Sequence, residues 1–239
     1  MEKVVFVAFA TGDAPPLDDD AIRRFVHGPL GSLDPGRYPG VAFQVEDLGA
    51  NRLWRGDGAL RDGRPIATVS VWTECADDVA DVEEAVVGLS SDHAGYVVTE
   101  AVSRWWTDRS TSVDEPRAGF VVTSLLCRAA GTTPDEFLRH WRDVHMPMSL
   151  RIHPQWTYVR NMVARALTLD APAVDAICEE GFEQLDDILD PRRFYGADGD
   201  PSRVEANRAA IGEDVPKFLD AGRTETSIMR EHSLRDLRA

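Results

Sequence analysis

The sequence TPDEFLRHWRDVHMPMSLRIHPQWTY, residues 133–158, carries the strongest structural signal in the chain. Thr133 is a typical N-cap, and Pro134 suits the first helical position because no amide hydrogen is needed there. Glu136, three residues after the cap, completes a capping box. The stretch therefore predicts a helix over Pro134–Ile152.

One face of this predicted helix carries Phe137, Trp141 and His145 at successive spacings of four. His140 lies five residues before His145, roughly 140° around a regular helix, so the two histidines are not expected to form a chelating pair. Pro147 lacks an amide hydrogen and predicts a kink or an end of the helix beside His145.

Two interpretations of His145 are compatible with this pattern. In the first, Phe137 and Trp141 wall a pocket, and His145 is its polar group, acting as a general acid or base near neutral pH. In the second, the imidazole is structural and ties a kinked helix end to a neighbouring carbonyl group. The spacing alone is consistent with both.

The chain divides into two segments with the same predicted order of elements, β-α-β-β-α-β. The first covers residues 1–108 and the second residues 117–232, with the polar sequence 107–116 as a linker between them. The first helices end in similar runs, HGPL at 27–30 and HMPM at 145–148, which we interpret as an internal duplication. Each segment is typical of a ferredoxin-like α+β unit, and two such units can cover each other sheet on sheet.

Apolar runs and helical spacings give the predicted element boundaries. The predicted strands are Lys3–Ala10, Tyr38–Asp47, Pro65–Glu74, Gly95–Trp105, Ala118–Cys127, Gln155–Ala164, Val174–Phe182 and Thr224–Glu231. The other predicted helices are Ala21–Leu33, Asp77–Leu89, one that starts within Glu183–Pro191, and Ser202–Phe218. Charges and glycines predict a loop over Asn51–Arg64.

The composition argues against several function classes. The 41 acidic residues exceed the 26 basic ones, which gives a net charge of −15, and an acidic surface repels nucleic-acid phosphates and anionic lipids. No window approaches the roughly 18 apolar residues of a membrane span. Cys75, Cys127 and Cys178 are far apart and predict reduced, buried thiols in a cytoplasmic protein rather than disulfides or a zinc site. We therefore expect neither nucleic acid, membrane nor metal as a partner.

The second segment resembles the EthD-like family of the dimeric α+β barrel superfamily. The resemblance covers residues 117–232 and is most specific in the long helix. The matching residues are Phe137, Trp141, His145, Pro147, Tyr158, Asn161, Asp175, Glu179, Phe182, Asp214, Phe218 and Glu231. The first segment resembles a degenerate copy, because it keeps His27 and Pro29 but has Arg23 where the motif has its tryptophan.

The resemblance implies two ferredoxin-like units whose sheets form a barrel, with a pocket between sheet and helices that the helix histidine lines. Related families include polyketide cyclases, cofactor-free monooxygenases, muconolactone isomerases and haem-binding peroxidase-like enzymes. The EthD group is linked to ether breakdown and polyketide tailoring. A shared fold does not by itself fix the function.

The leading hypothesis is a cofactor-free enzyme that cyclises, isomerises or oxygenates a small hydrophobic molecule with a phenolic or carbonyl group. The predicted catalytic residues are His145, Tyr158 and Asn161, and the predicted substrate-binding residues are Phe137, Trp141, Glu179 and His27. A non-catalytic protein that binds a hydrophobic ligand, and a haem protein with His145 as axial ligand, stay open as alternatives. A barrel closed within one chain needs no second copy, and a homodimer also stays open.

Strand alternation limits which of these side chains can meet. Tyr158 and Asn161 are three residues apart on one predicted strand and therefore point to opposite faces. Glu179 and Glu180 also point to opposite faces, and an inward carboxylate beside His145 would raise its basicity. The alternatives are a packing role for the Tyr158 ring and an edge-strand charge at the glutamates.

Overall fold

A computed structural model of the chain contains eight strands that form one closed antiparallel barrel. The structure describes residues 1–10, 17–53, 60, 63–105, 115–196 and 200–237. The strands are β1 (Glu2–Ala10), β2 (Gly40–Glu46), β3 (Arg64–Thr73), β4 (His93–Arg104), β5 (Phe120–Leu126), β6 (Thr157–Ala166), β7 (Ala176–Phe182) and β8 (Glu225–Arg235). Each predicted strand is present, with ends that differ by a few residues.

The strands follow the order β1-β3-β2-β8-β5-β7-β6-β4 around the barrel. In each half, the first strand lies between the third and the fourth, and the second strand pairs with the third. The halves join at two seams, where β2 pairs with β8 and β4 pairs with β6. The predicted α+β class is therefore confirmed, and the barrel closes within one chain.

Helices pack against the outer face of the barrel. They are α1 (Asp19–Phe25), α2 (Leu48–Leu53), α3 (Ala80–Val87), α4 (Pro134–His140), α5 (Met146–Ile152), α6 (Asp186–Leu189), α7 (Pro191–Phe194) and α8 (Pro201–Asp214). A π-helical turn, Trp141–His145, joins α4 to α5, so the predicted element Pro134–Ile152 is continuous. The predicted capping box between Thr133 and Glu136 is present. Within the described ranges, no helix has both the length and the apolar character needed to cross a lipid bilayer.

The segment after β2 differs from its prediction. Residues 48–53 are helical where part of a loop is expected, because the Asp47 carboxylate accepts a hydrogen bond from the Ala50 amide at 2.9 Å and caps the helix. Residues 54–59, 61 and 62 of the predicted loop lie outside the described residues, as do residues 107–114 of the predicted linker. The helix predicted over Ala21–Leu33 ends earlier, as α1 followed by a π-helical turn over Val26–Leu30.

Alternate residues of each strand face the helices and the barrel interior, which we call the lumen. In β1, Val4 and Phe6 pack against residues of α1 and α3. Val5 and Val7, on the opposite face, contact inward residues of the other strands. Because Lys3 shares the face of Val5 and Val7, its ammonium group also lies in the lumen.

The three cysteines are free thiols. Cys127 and Cys178 are buried, in agreement with the prediction, and burial raises the pKa of the Cys178 thiol well above its usual value. Cys75 is exposed, so the prediction of a buried thiol is wrong there, because this residue follows the end of β3 and has left the sheet.

Candidate functional site

The π-helical turn Trp141–His145 determines where the two histidines of this helix lie. The Met146 amide donates to the Trp141 carbonyl, five residues back instead of four. This wider turn brings residues five apart to the same side of the helix. The expectation that His140 and His145 lie on different sides is therefore wrong, because it assumed a regular helix throughout.

The two histidines share one buried carboxylate, that of Asp214 at the end of α8. His140 Nε2 lies 2.8 Å from Asp214 Oδ1, and His145 Nδ1 lies 3.0 Å from Asp214 Oδ2. The Asp214 side chain is only 4% exposed, and the exposed Lys217 ammonium approaches Oδ1 at 3.8 Å. Each oxygen of the carboxylate thus has its own imidazole partner, so both rings are held in fixed orientations.

Aromatic side chains fill the space behind these histidines. Phe218 contacts both imidazoles, with ring centroids at 5.1 Å from His140 and 4.8 Å from His145. Phe137 and Trp141 are fully buried against it.

The His145 ring presents one nitrogen for chemistry. Its Nδ1 faces the Asp214 carboxylate, an acceptor, and therefore carries the proton, which leaves a lone pair on Nε2. No described residue forms a hydrogen bond with Nε2. Burial lowers the pKa of His145 more than Asp214 raises it, and the His140 ring lowers it further. The imidazole is therefore neutral at pH 7 and able to accept a proton at Nε2.

Tyr158 lies on the helix-facing side of β6, behind Trp141. Its hydroxyl oxygen accepts a hydrogen bond of 2.9 Å from the Trp141 indole nitrogen, and its side chain is fully buried. Burial raises the pKa of the phenol well above its usual value, so it stays protonated. Tyr158 is thus part of the same layer as His145, while its expected role toward a substrate carbonyl stays a prediction.

Asn161 and Glu179 lie on the other side of the sheet, in the lumen. Asn161 Nδ2 donates to Glu179 Oε1 at 2.8 Å, and the same oxygen accepts from Lys3 Nζ at 3.0 Å. The predicted opposite directions of Tyr158 and Asn161 are therefore confirmed. Of the two neighbouring glutamates of β7, Glu179 faces the lumen, and the carboxylate beside His145 is that of Asp214.

Lys3 is the centre of a buried polar network that sequence reasoning missed. Its ammonium group also binds Glu100 Oε1 at 3.0 Å and lies 4.9 Å from the centre of the Trp72 ring. Burial opposes the charge on Lys3, but Glu179 and Glu100 outweigh it and raise the lysine pKa. Gln44 Nε2 extends the network to Glu179 at 3.4 Å and to Glu231 at 3.3 Å. A single lysine in the run KVVFVAFA is the only local signal for this network.

His27 lies in the other half of the chain, exposed on the π-helical turn Val26–Leu30. The aromatic residues that precede His145 on its helix have no equivalent there. Arg23 stands at the position that corresponds to Trp141, and it is exposed. The predicted substrate-binding role of His27 stays a prediction. Among the described residues, no group of three histidine, cysteine or acidic side chains is arranged to hold a metal ion.

Glu180 faces the helix side of β7 and has an unusual protonation state. Its carboxyl group is buried and accepts a hydrogen bond from Gln155 Nε2. Burial raises its pKa to about 7, from an ordinary value near 4.5. The folded state therefore holds a proton between pH 4.5 and 7 that the unfolded state releases.

We expect Glu180→Gln to change how stability depends on pH. In the parent protein, this residue lowers the unfolding free energy as pH rises from 4.5 to 7, by about 3 kcal/mol in total. Urea denaturation at several pH values should show that the variant lacks this decline. The matched variant Glu183→Gln, at an exposed position, should keep it. Equal pH profiles for parent and Glu180→Gln would contradict the raised pKa.

Comparison with known proteins identifies the domain to which the histidine pair belongs. Residues 129–222 match the EthD domain, which confirms the family predicted for the second segment over these residues. Among the curated proteins, no sequence matches the chain.

Solved structures support the fold across nearly the whole chain. An anthrone oxidase-like protein aligns over 98% of this chain and 94% of its own, with 12% identity and a TM-score of 0.57. A candidate chlorite dismutase aligns over 98% and 95%, with 12% identity and a TM-score of 0.50. At this identity the likeness establishes the fold and not the reaction.

Proposed function

Because residues 129–222 match the EthD domain, we propose that the protein is a small-molecule enzyme in which His145 removes a proton from a hydrophobic carbon acid. The substrate class is an aromatic or phenolic compound with a carbonyl group that stabilises the resulting anion. The observation that carries the proposal is the 3.0 Å contact between His145 Nδ1 and the buried Asp214 carboxylate.

The carboxylate gives His145 what a general base needs. It fixes the tautomer with the lone pair on Nε2, and it holds the ring in one orientation. The negative carboxylate also stabilises the positive imidazolium that forms when His145 accepts the proton. His140 and Phe218 keep Asp214 and the His145 ring in place from the other sides.

We propose anthrone as the first test substrate, since one protein of similar fold is described as anthrone oxidase-like. Removal of a proton from the methylene carbon of anthrone leaves an anion that is delocalised onto the carbonyl oxygen. Dioxygen then accepts the electrons, and the overall reaction converts anthrone and O₂ to anthraquinone and water. The protein supplies the base, and dioxygen is the oxidant.

Two assays separate the proton transfer from the oxidation. Without oxygen, NMR in D₂O measures how fast the methylene protons of anthrone exchange. In air, oxygen uptake and anthraquinone absorbance measure the complete reaction. We expect the protein to accelerate the exchange above the buffer rate, and the proposal fails for this substrate class if neither anthrone nor its hydroxylated analogues are accelerated in either assay.

We further propose that the halves 1–108 and 117–232 are a duplicated pair of ferredoxin-like units of which only the second carries the base. The shared strand order supports the pairing of the units, and the presence of a histidine–aspartate pair in the second half supports the assignment of the base.

A further inference from the structure

A cleft of about 550 Å³ lies where β4 ends and α5 passes into β6. Its volume falls within the range of small-molecule sites in proteins. Arg104, at the end of β4, borders it and donates to the Gln155 carbonyl at 2.8 Å and to the Leu150 carbonyl at 3.3 Å. These hydrogen bonds connect the end of β4 to the turn between α5 and β6, so the two walls of the cleft are held together.

His153 lines this cleft with a hydrogen-bond acceptor. Its Nδ1 lies 2.7 Å from the Phe194 carbonyl oxygen and must carry the proton, so Nε2 holds a lone pair. The ring also packs on the Phe194 ring with centroids 4.0 Å apart, which fixes its plane. Burial lowers the pKa of His153 to about 4, so it is neutral at pH 7. Within the described part of the chain, Nε2 has no hydrogen-bond partner.

Gln155 also lines the cleft and carries a buried acceptor. Its side chain is nearly completely buried, and its Nε2 donates to Ser149 Oγ at 2.9 Å. Its Oε1 is buried and has no hydrogen-bond partner among the described residues. An unpaired buried acceptor is costly, so this amide is held in place against an energetic penalty.

The remaining walls favour a flat and uncharged ligand. The indole rings of Trp105 and Trp156 line the cleft, and Gly119 and Gly181 leave room for Trp156 to lie against the backbone. The charged side chains around the cleft are two arginines and two acids, Arg104, Arg193, Glu183 and Asp187. These charges balance, so the cleft has no net preference for an anion or a cation.

We propose that this cleft binds a planar aromatic alcohol of the phenol or naphthol class, whose hydroxyl donates its hydrogen to His153 Nε2. The two indoles contact the faces or edges of the ring. The site uses residues that take no part in the proposed chemistry of His145.

The test compares two probes of the same ring system, in one of which a methyl group replaces the hydroxyl hydrogen. Isothermal titration calorimetry measures binding of 2-naphthol and of 2-methoxynaphthalene to the full chain at pH 7. We expect 2-naphthol to bind about 2- to 10-fold more tightly, the effect of one neutral hydrogen bond. Equal affinities, or no binding of either probe, would overturn the proposal.

Two matched variants locate the preference. His153→Phe keeps a ring against Phe194 but lacks the acceptor, so we expect the two probes to bind it equally. His232→Phe makes the same exchange at another buried histidine, which lines a different cleft, and should keep the preference. An unchanged preference in His153→Phe would move the site elsewhere. If His153→Phe fails to fold, the probe comparison on the parent protein still decides, and neither measurement depends on turnover.

Discussion

We expect His145→Ala to lower the rate of substrate proton exchange by about 10²- to 10⁴-fold, the usual contribution of one positioned acid or base. The loss should appear in kcat, because the imidazole accepts the proton only in the transition state. The measurement is deuterium exchange into anthrone without oxygen, and the same loss should appear in oxygen uptake.

Asp214→Asn and His93→Gln separate chemistry from folding. The amide at 214 no longer stabilises the imidazolium, so we expect a loss of activity in Asp214→Asn as well. His93 also faces a carboxylate, that of Glu83 at 3.1 Å, but it lies on β4. The substitution His93→Gln should therefore leave turnover unchanged. A His145→Ala protein that is folded by circular dichroism and fully active would falsify the proposed role.

The pH profile provides a second check on His145. Its lowered pKa means that the base form persists below pH 6.5, so activity should fall only as pH drops through that lowered value. The same shift lowers stability in acid, because the unfolded state binds a proton near pH 6.5 that the folded state still rejects. An acid limb of kcat/KM at or above pH 6.5 would contradict this assignment.

The second large effect is expected in the lumen, where Lys3→Met should lower the unfolding free energy by about 3–5 kcal/mol. The substitution leaves Glu100 and Glu179, whose side chains are only 17% and 14% exposed, without their cation, and uncompensated charge in such a place is strongly destabilising. The triple variant Lys3→Met, Glu100→Gln, Glu179→Gln removes both charges and should recover most of the loss. Urea denaturation at pH 7 measures all of these values.

Lys217→Met is the matched control for this result. Lys217 is 59% exposed and approaches Asp214 only at 3.8 Å, so its removal should cost less than about 1 kcal/mol. The interpretation of the lumen fails if Lys3→Met is no more destabilising than Lys217→Met. It also fails if the triple variant is less stable than Lys3→Met alone.

Local sequence signals predicted most of the fold. The capping box at Thr133 fixes the start of the long helix, and alternation along the apolar runs gives the strands and their two faces. The family resemblance added the closed barrel. The helix Leu48–Leu53 was missed because its capping signal at Asp47 was weaker than the charges and glycines that follow.

The site was harder to predict because it depends on contacts between distant parts of the chain. Asp214 lies 69 residues from His145, and Lys3 lies 97 residues from Glu100 and 176 from Glu179. The π-helical turn also has no reliable sequence signature, so helical periodicity placed His140 on the wrong side. In each case a tertiary contact, and not local propensity, determines the position of the side chain.

Both seams of the barrel join strands of a single chain, and this affects how the protein responds to dilution. A barrel assembled from two chains loses its partner when the protein concentration falls below the dissociation constant. Here the pairing of β2 with β8 and of β4 with β6 is a first-order process. The closed form therefore needs no second copy, and a substitution changes each barrel at one position instead of at two equivalent ones.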